Sequence, residues 1–141
     1  MKKILFITSD NSAGWAFQNE IEILGKRYQC YIVSSLSKAF TILQQGVNKV
    51  VMYPFYIAWH NYEIKSHSSN EDLRNLAGYY FWKQELEAKK IPTIVVDLEM
   101  QVREYMEEIE KKDWKNNPDV TFFYHDGRYK NSQKLAELIK T

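Results

Sequence analysis

Short apolar runs alternate with amphipathic stretches along the whole chain. Ile4 to Ile7 is an apolar run bounded by polar positions, the pattern of a strand buried on both faces. Phe17, Ile21 and Leu24 then recur at i, i+4 and i+7, one face of a helix that ends near Gly25 and Lys26. Tyr28 to Val33 returns to strand character. Ser35 is placed to cap a helix carrying Leu36, Phe40 and Leu43, and Gly46 stands where a left-handed residue stops it. Val47 to Tyr53 predicts a third strand, closed by Pro54. Ser69-Asn70-Glu71-Asp72 predicts a capped, acidic helix start, and Leu73, Leu76, Ala77 and Tyr80 carry that helix towards Lys89-Lys90. Pro92 to Val96 is the fourth strand, and Val102, Tyr105, Met106 and Ile109 form the next helical stripe. Val120 to Tyr124 is the fifth strand, Asp126-Gly127 a turn, and Leu135, Leu138 and Ile139 the last helix.

Five strands alternating with five helices, without hairpin signals, predict one doubly wound α/β domain over residues 1–141, its parallel sheet covered by helices on both faces. Right-handed crossovers gather the strand-to-helix turns at the carboxyl edge of such a sheet, where ligands bind. One connection breaks the rhythm. Residues 54–70 show no clean period and exceed the length usual between a strand and a helix.

Composition narrows the class without naming a function. A net charge of +1 and no basic stripe argue against a nucleic-acid partner. Cys30 is the only cysteine and lies in an apolar run, so it reads as a small buried hydrophobe, and no disulfide forms within the chain. The N-terminus lacks the long apolar core of a signal peptide, and Val50 to Trp59 is about half of a bilayer span, which leads us to expect a cytoplasmic protein off the membrane. The unusual feature is the aromatic content, 10 Tyr, 7 Phe and 4 Trp, too many for every ring after Val51 to be assigned to a core from pattern alone.

The turns expected to meet at the carboxyl edge are Thr8-Ser9-Asp10-Asn11, the segment opened by Tyr53, Asp97-Leu98-Glu99 and His125-Asp126-Gly127-Arg128. Thr8, Ser9, Asp10, Asn11, Tyr53, Asp97 and His125 are therefore the candidate ligand-binding edge. Each has a plain structural role open to it: Asp10 or Ser12 as cap of the first helix, Asp97 or Glu99 as cap of the fourth, His125 as a turn histidine. The cap is the reading preferred for Asp10. As an enzyme, the best constellation is His125 as acid or base, oriented by Asp126 or Asp97, with Asp10 opposite. The first turn has a single glycine, Gly14, and no following lysine, so it lacks the glycine-rich phosphate cradle. In the long connection, Phe55, Tyr56, Trp59 and Tyr62 form an aromatic cluster that is either folded onto its own core or a docking surface. His60 and His67, with Glu63 between them, lack the further ligands of a metal site, and none is expected.

In element order and spacing the chain resembles the receiver domain of two-component response regulators. "KKILFITSD" is similar to a receiver's first strand, "YQCYIVSSLSKAFTILQQGVNKVVMY" to its second strand, helix and third strand, and "IPTIVV" to its fourth. The resemblance implies a flavodoxin-like sheet of order 2-1-3-4-5. It also implies losses. The acidic pair closing the first strand falls on Thr8 and Ser9, the phosphoacceptor aspartate on Tyr53, the hydroxyl residue closing the fourth strand on Asp97, and the lysine closing the fifth near His125. A phenol titrating near about 10 is no ionised carboxylate ready to form an acyl phosphate, and Mg²⁺ requires hard oxygen ligands.

The first reading is thus a pseudo-receiver, a non-catalytic signalling or interaction module with a protein partner, a homodimer being open as its assembly. The second is a nucleotide- or nucleotide-sugar-binding Rossmann-like enzyme domain, because the first 35 residues also look like the opening of two-domain glycosyltransferases, whose other domain a partner chain would supply. The third is a flavodoxin-like FMN carrier, suggested by the hydroxyl-rich first turn. No cofactor is expected on the first reading; FMN and Mg²⁺ belong to the alternatives.

Overall fold

The computed structural model describes residues 1–9, 15–66, 69–97 and 112–141. The strands are β1 (Lys2–Ile7), β2 (Tyr28–Val33), β3 (Lys49–Met52), β4 (Thr93–Asp97) and β5 (Val120–Tyr124). They form one sheet of order β2-β1-β3-β4-β5, parallel throughout. In register, Ile4 lies opposite Cys30 and Lys49, and Ile94 opposite Val51 and Thr121. This is the doubly wound, receiver-like fold that the alternating pattern predicts. The ladder runs slightly past β1 and β3, since Tyr53 N–H donates to the Ile7 carbonyl and Thr8 N–H to that of Val33.

Among the described residues the α-helices are α1 (Gln18–Leu24), α2 (Leu36–Gln44), α3 (Asn70–Phe81), α4 (Lys112–Lys115) and α5 (Tyr129–Lys140). Alternation along the strands divides the core in two. Leu5, Ile7, Val50, Met52 and Val95 face α2, α3 and Trp114 of α4. Ile4, Phe6, Val51, Tyr53, Ile94 and Val96 face the other way, under Phe17 and Leu24 of α1 and Leu135, Ala136 and Ile139 of α5. Ser35 Oγ accepts from Lys38 N–H at the start of α2, and Gly46 closes it with φ 87°. Asp10 and Ser12, the expected caps of the first helix, lie outside the described residues. The cap position of α1 is Phe17, which offers no side-chain cap. The stripe Val102, Tyr105, Met106 and Ile109 lies outside the described residues, as do Leu98 and Glu99.

The long connection is folded onto the core by its own hydrogen bonds. Ala58 bridges to Ser35 beyond the end of β2, with its N–H on the Ser34 carbonyl and its carbonyl taken by Leu36 N–H at 2.8 Å. Ile57 and Ile64 are buried, and Phe55, Trp59 and Tyr62 pack half-buried against the α2–α3 side. Helix α3 meets this segment at a kink, where Leu76 leaves helical geometry (φ −137°, ψ 43°) and Gly78 N–H turns to the Pro54 carbonyl at 3.1 Å. A Cβ on Gly78 would stand 2.8 Å from Pro54 Cα, so this approach of helix to loop requires glycine.

After α3 the chain widens into one π-helical turn, Trp82–Leu86, with Glu87 N–H on the Trp82 carbonyl at 2.9 Å. The shift places Tyr79 and Trp82 against Trp114, at ring separations of 5.3 and 6.2 Å. Much of the aromatic excess is therefore core on this face.

Candidate functional site

The site lies on the opposite face from the aromatic connection, where α1 and α5 run side by side over the carboxyl ends of β3 and β5. Two apolar stripes build it, and each carries one polar intruder. On α1 the stripe Phe17, Ile21, Leu24 includes Glu20, and on α5 the stripe Leu135, Ala136, Ile139 includes Ser132. Glu20 is 3% exposed and Ser132 2% exposed. A buried carboxylate requires a partner. It finds His125, which follows β5 and is itself buried.

His125 Nε2 lies 3.1 Å from Glu20 Oε1 and 3.1 Å from Ser132 Oγ. Its Nδ1 accepts the Gly127 N–H at 2.9 Å, in a turn where Gly127 takes φ 87°. An Nδ1 that accepts a hydrogen bond carries no proton, so the ring is the neutral Nε2–H tautomer, its proton shared between Glu20 and Ser132. Serine, histidine and glutamate meet here, but not as a nucleophilic relay. In such a relay the acid and the serine occupy different ring nitrogens, and the nitrogen facing serine is free to take its proton. Here both sit on the protonated nitrogen, so His125 holds Glu20 and does not activate Ser132.

Tyr53 closes the site from β3. Its ring stacks on Phe17 at 4.4 Å and 20°, and Phe17 in turn meets Phe6 at 5.0 Å. Burial, reinforced by the Glu20 charge, pushes the Tyr53 phenol well above its usual range, so it stays protonated. Phe17 holds this stack from a left-handed backbone (φ 63°, ψ 11°), costly for a bulky residue and located at the cavity wall. Between these groups and Trp15, which is 62% exposed at the rim, lies an open cavity of about 340 Å³.

The candidate edge residues separate into several environments. His125 and Tyr53 line the cavity. Thr8 and Asp97 are buried at the ends of β1 and β4, and Ser9 is half-buried. The carboxylate on His125 is Glu20, in place of Asp97 or Asp126. Asp97 instead offers its backbone carbonyl to His125 N–H at 2.9 Å. Asp126 turns outward, accepts the Arg128 N–H at 2.9 Å and lies 3.7 Å from the Arg128 side chain. That backbone hydrogen bond, outweighing some desolvation, holds its carboxyl below the usual range. Asp10 and Asn11 lie outside the described residues.

In the aromatic connection Phe55, Trp59 and Tyr62 lie against the core, while Tyr56 is exposed in a left-handed conformation (φ 56°). His60 stacks on Trp59, and His67 is outside the described residues. Among the described residues no group of three His, Cys, Asp or Glu side chains is placed to hold a metal ion. No described helix is long and apolar enough to cross a membrane.

Glu20, Ser132, Phe17 and Trp15 are site residues that motif reasoning passes over. The signal for two of them is positional. A glutamate at i+3 of an apolar stripe, and a serine three residues before another, mark polar groups carried into a core.

Neither a protein-family model nor a curated protein matches the sequence. Among solved structures, the chain is similar to the chemotaxis response regulator CheY4 of Vibrio cholerae, with a TM-score of 0.59 and 12% identity over 99% of this chain and 98% of that one. It also aligns with the lysine decarboxylase LdcF of Francisella novicida at a TM-score of 0.48 and 15% identity, covering 99% of this chain and 17% of that one. The likeness to CheY4 is one of fold: a five-stranded parallel sheet of order 2-1-3-4-5, receiver-like and flavodoxin-like.

Proposed function

We infer that this chain is a receiver-type signalling module that works without aspartyl phosphorylation and carries its information through a protein partner. The observation that carries the reading is Tyr53. At the end of β3, where a receiver requires a carboxylate nucleophile, stands a buried phenol stacked on Phe17 and kept protonated by its surroundings. The neighbouring end of β1 offers Thr8 and Ser9 in place of an acidic pair, a poor donor set for Mg²⁺. The buried carboxylate Glu20 is committed to His125, and the histidine's tautomer does not suit nucleophile activation. On this reading the domain is cytoplasmic, needs no cofactor, and engages neither nucleic acid nor membrane.

Beryllofluoride with Mg²⁺ mimics the acyl phosphate of a receiver and tests this directly. Titrated into the native chain, it is expected to leave the amide spectrum unchanged at Thr8, Tyr53, Asp97 and His125. A saturable, Mg²⁺-dependent change at those amides would overturn the reading.

A further inference from the structure

The receiver reading gives the α1–α5 cavity no task, yet it is built like a ligand site. We propose that it binds a small organic ammonium ion carrying an apolar or aromatic body, with the charge at Glu20 and the body between Trp15, Phe17 and Tyr53.

Charge comes first. Glu20 is nearly fully buried, and the one hydrogen bond it receives from the described residues is the Nε2–H of a neutral histidine. With Nδ1 accepting the Gly127 N–H at 2.9 Å, the ring offers the carboxylate its Nε2–H, and in this tautomer it orients Glu20 without adding a charge of its own. No lysine or arginine is among the described residues that line the cavity. Among those described residues the other charged group is Asp126, at the rim and of the same sign. A buried anion in an open cavity whose described walls bring no cation attracts one and repels phosphate or carboxylate.

The walls decide what kind of cation fits. Trp15, Phe17 and Tyr53 present aromatic surface beside the carboxylate, and aromatic faces attract ammonium groups through the ring quadrupole. Among the described lining residues a hydrated metal ion would find one buried carboxylate, a phenol that stays protonated, and Asp126 only at the rim, where it already accepts the Arg128 N–H, a set that offers little to offset dehydration. The volume, about 340 Å³, belongs to the small end of organic-ligand sites, which begin at about 300 Å³. Phe17 is held in a left-handed conformation with its ring stacked on Tyr53, so this wall is in place before any ligand arrives.

The test is a charge series on one body, titrated into the native chain and read from the amides of Gly127 and Ser132. Phenethylammonium should shift them saturably, 2-phenylethanol should bind at least about tenfold more weakly, and 3-phenylpropionate should give no saturable shift. Glu20→Gln should abolish the preference for the ammonium over the alcohol. Trp15→Ala, at an exposed rim position that the fold does not need, should weaken the ammonium about threefold or more. Equal affinity for all three compounds, tighter binding of the anion, or no saturation by the ammonium would overturn the proposal, as would a folded Glu20→Gln variant that keeps the charge preference. The comparison on the native chain decides the matter even if that variant does not fold. None of these results bears on beryllofluoride binding, so this proposal and the receiver reading fail separately.

Discussion

Removing the His125 ring exposes how Glu20 is held. In His125→Ala the buried carboxylate loses the hydrogen bond at 3.1 Å, and Gly127 N–H loses its acceptor. A hydrogen bond to a charged group contributes about 1.5–3 kcal/mol, and breaking a fully buried pair costs about 3–5 kcal/mol. The adjoining cavity lets water reach the carboxylate, so the expected loss lies at the low end, about 3 kcal/mol. Glu20→Gln keeps an acceptor oxygen for Nε2–H and removes the buried charge, so it should change stability by no more than about 1 kcal/mol. The double variant leaves no unpaired charge and should be about 1 kcal/mol more stable than His125→Ala alone. Urea denaturation at neutral pH, followed by circular dichroism with unchanged slopes, measures all three. Additive losses, within about 0.5 kcal/mol, would refute the picture of a histidine whose role is to hold a buried carboxylate.

Other expectations follow from the opposite face and from the titrating groups. Gly78→Ala gains about 1 kcal/mol of helix preference, but its methyl meets Pro54 Cα at 2.8 Å and Met52 Sδ at 3.0 Å; the net result should be a lower Tm and a loss of about 1–2 kcal/mol. Burial alone would raise the Asp113 carboxyl, but Lys83 at 2.8 Å and the Tyr79 hydroxyl at 3.0 Å outweigh it and hold it below its usual value. A depressed carboxyl stabilises the fold above the unfolded value, about 3.9, and that contribution disappears as pH falls through the lower folded value. Because Lys83 and Asp113 are each 39% exposed, Asp113→Asn should cost only about 0.5 kcal/mol at neutral pH, and less in acid. Tyr53 has the opposite sign. Its raised phenol keeps the folded state protonated while the unfolded chain ionises above about 10, so stability falls with rising pH there by up to about 1.4 kcal/mol per unit. Tyr53→Phe should make that alkaline loss shallower in pH-dependent denaturation.

The sheet was legible because its information is local. Runs such as Ile4 to Ile7 and Thr93 to Val96 are apolar on both faces, and stripes such as Leu135 and Ile139 have one period only. The chemistry of the site was less so. Glu20 reads as a solvated helix residue until Ser132 and His125 are seen to converge on it, 105 residues apart in sequence from the histidine. Asp126 and Asp97 are closer to His125 along the chain and along the edge, yet sequence proximity does not aim a side chain. The aromatic connection was ambiguous for a related reason. Its rings have no period, and its folding onto the core depends on long-range bonds, from Ala58 to Ser34 and from Gly78 to Pro54, that no local pattern encodes. The kink at Leu76 and the π-helical turn at Trp82–Leu86 likewise arise where α3 must meet that loop and then Trp114.

Whether the carboxyl edge accepts a phosphoryl group bears most directly on the central claim. The native chain is incubated with acetyl phosphate and Mg²⁺ and weighed intact, beside a phosphorylatable receiver as control. The expected result is an unchanged mass for this chain while the control gains one phosphoryl group. A Mg²⁺-dependent gain of one phosphoryl group, released by hydroxylamine and mapped to an aspartate, would contradict the account.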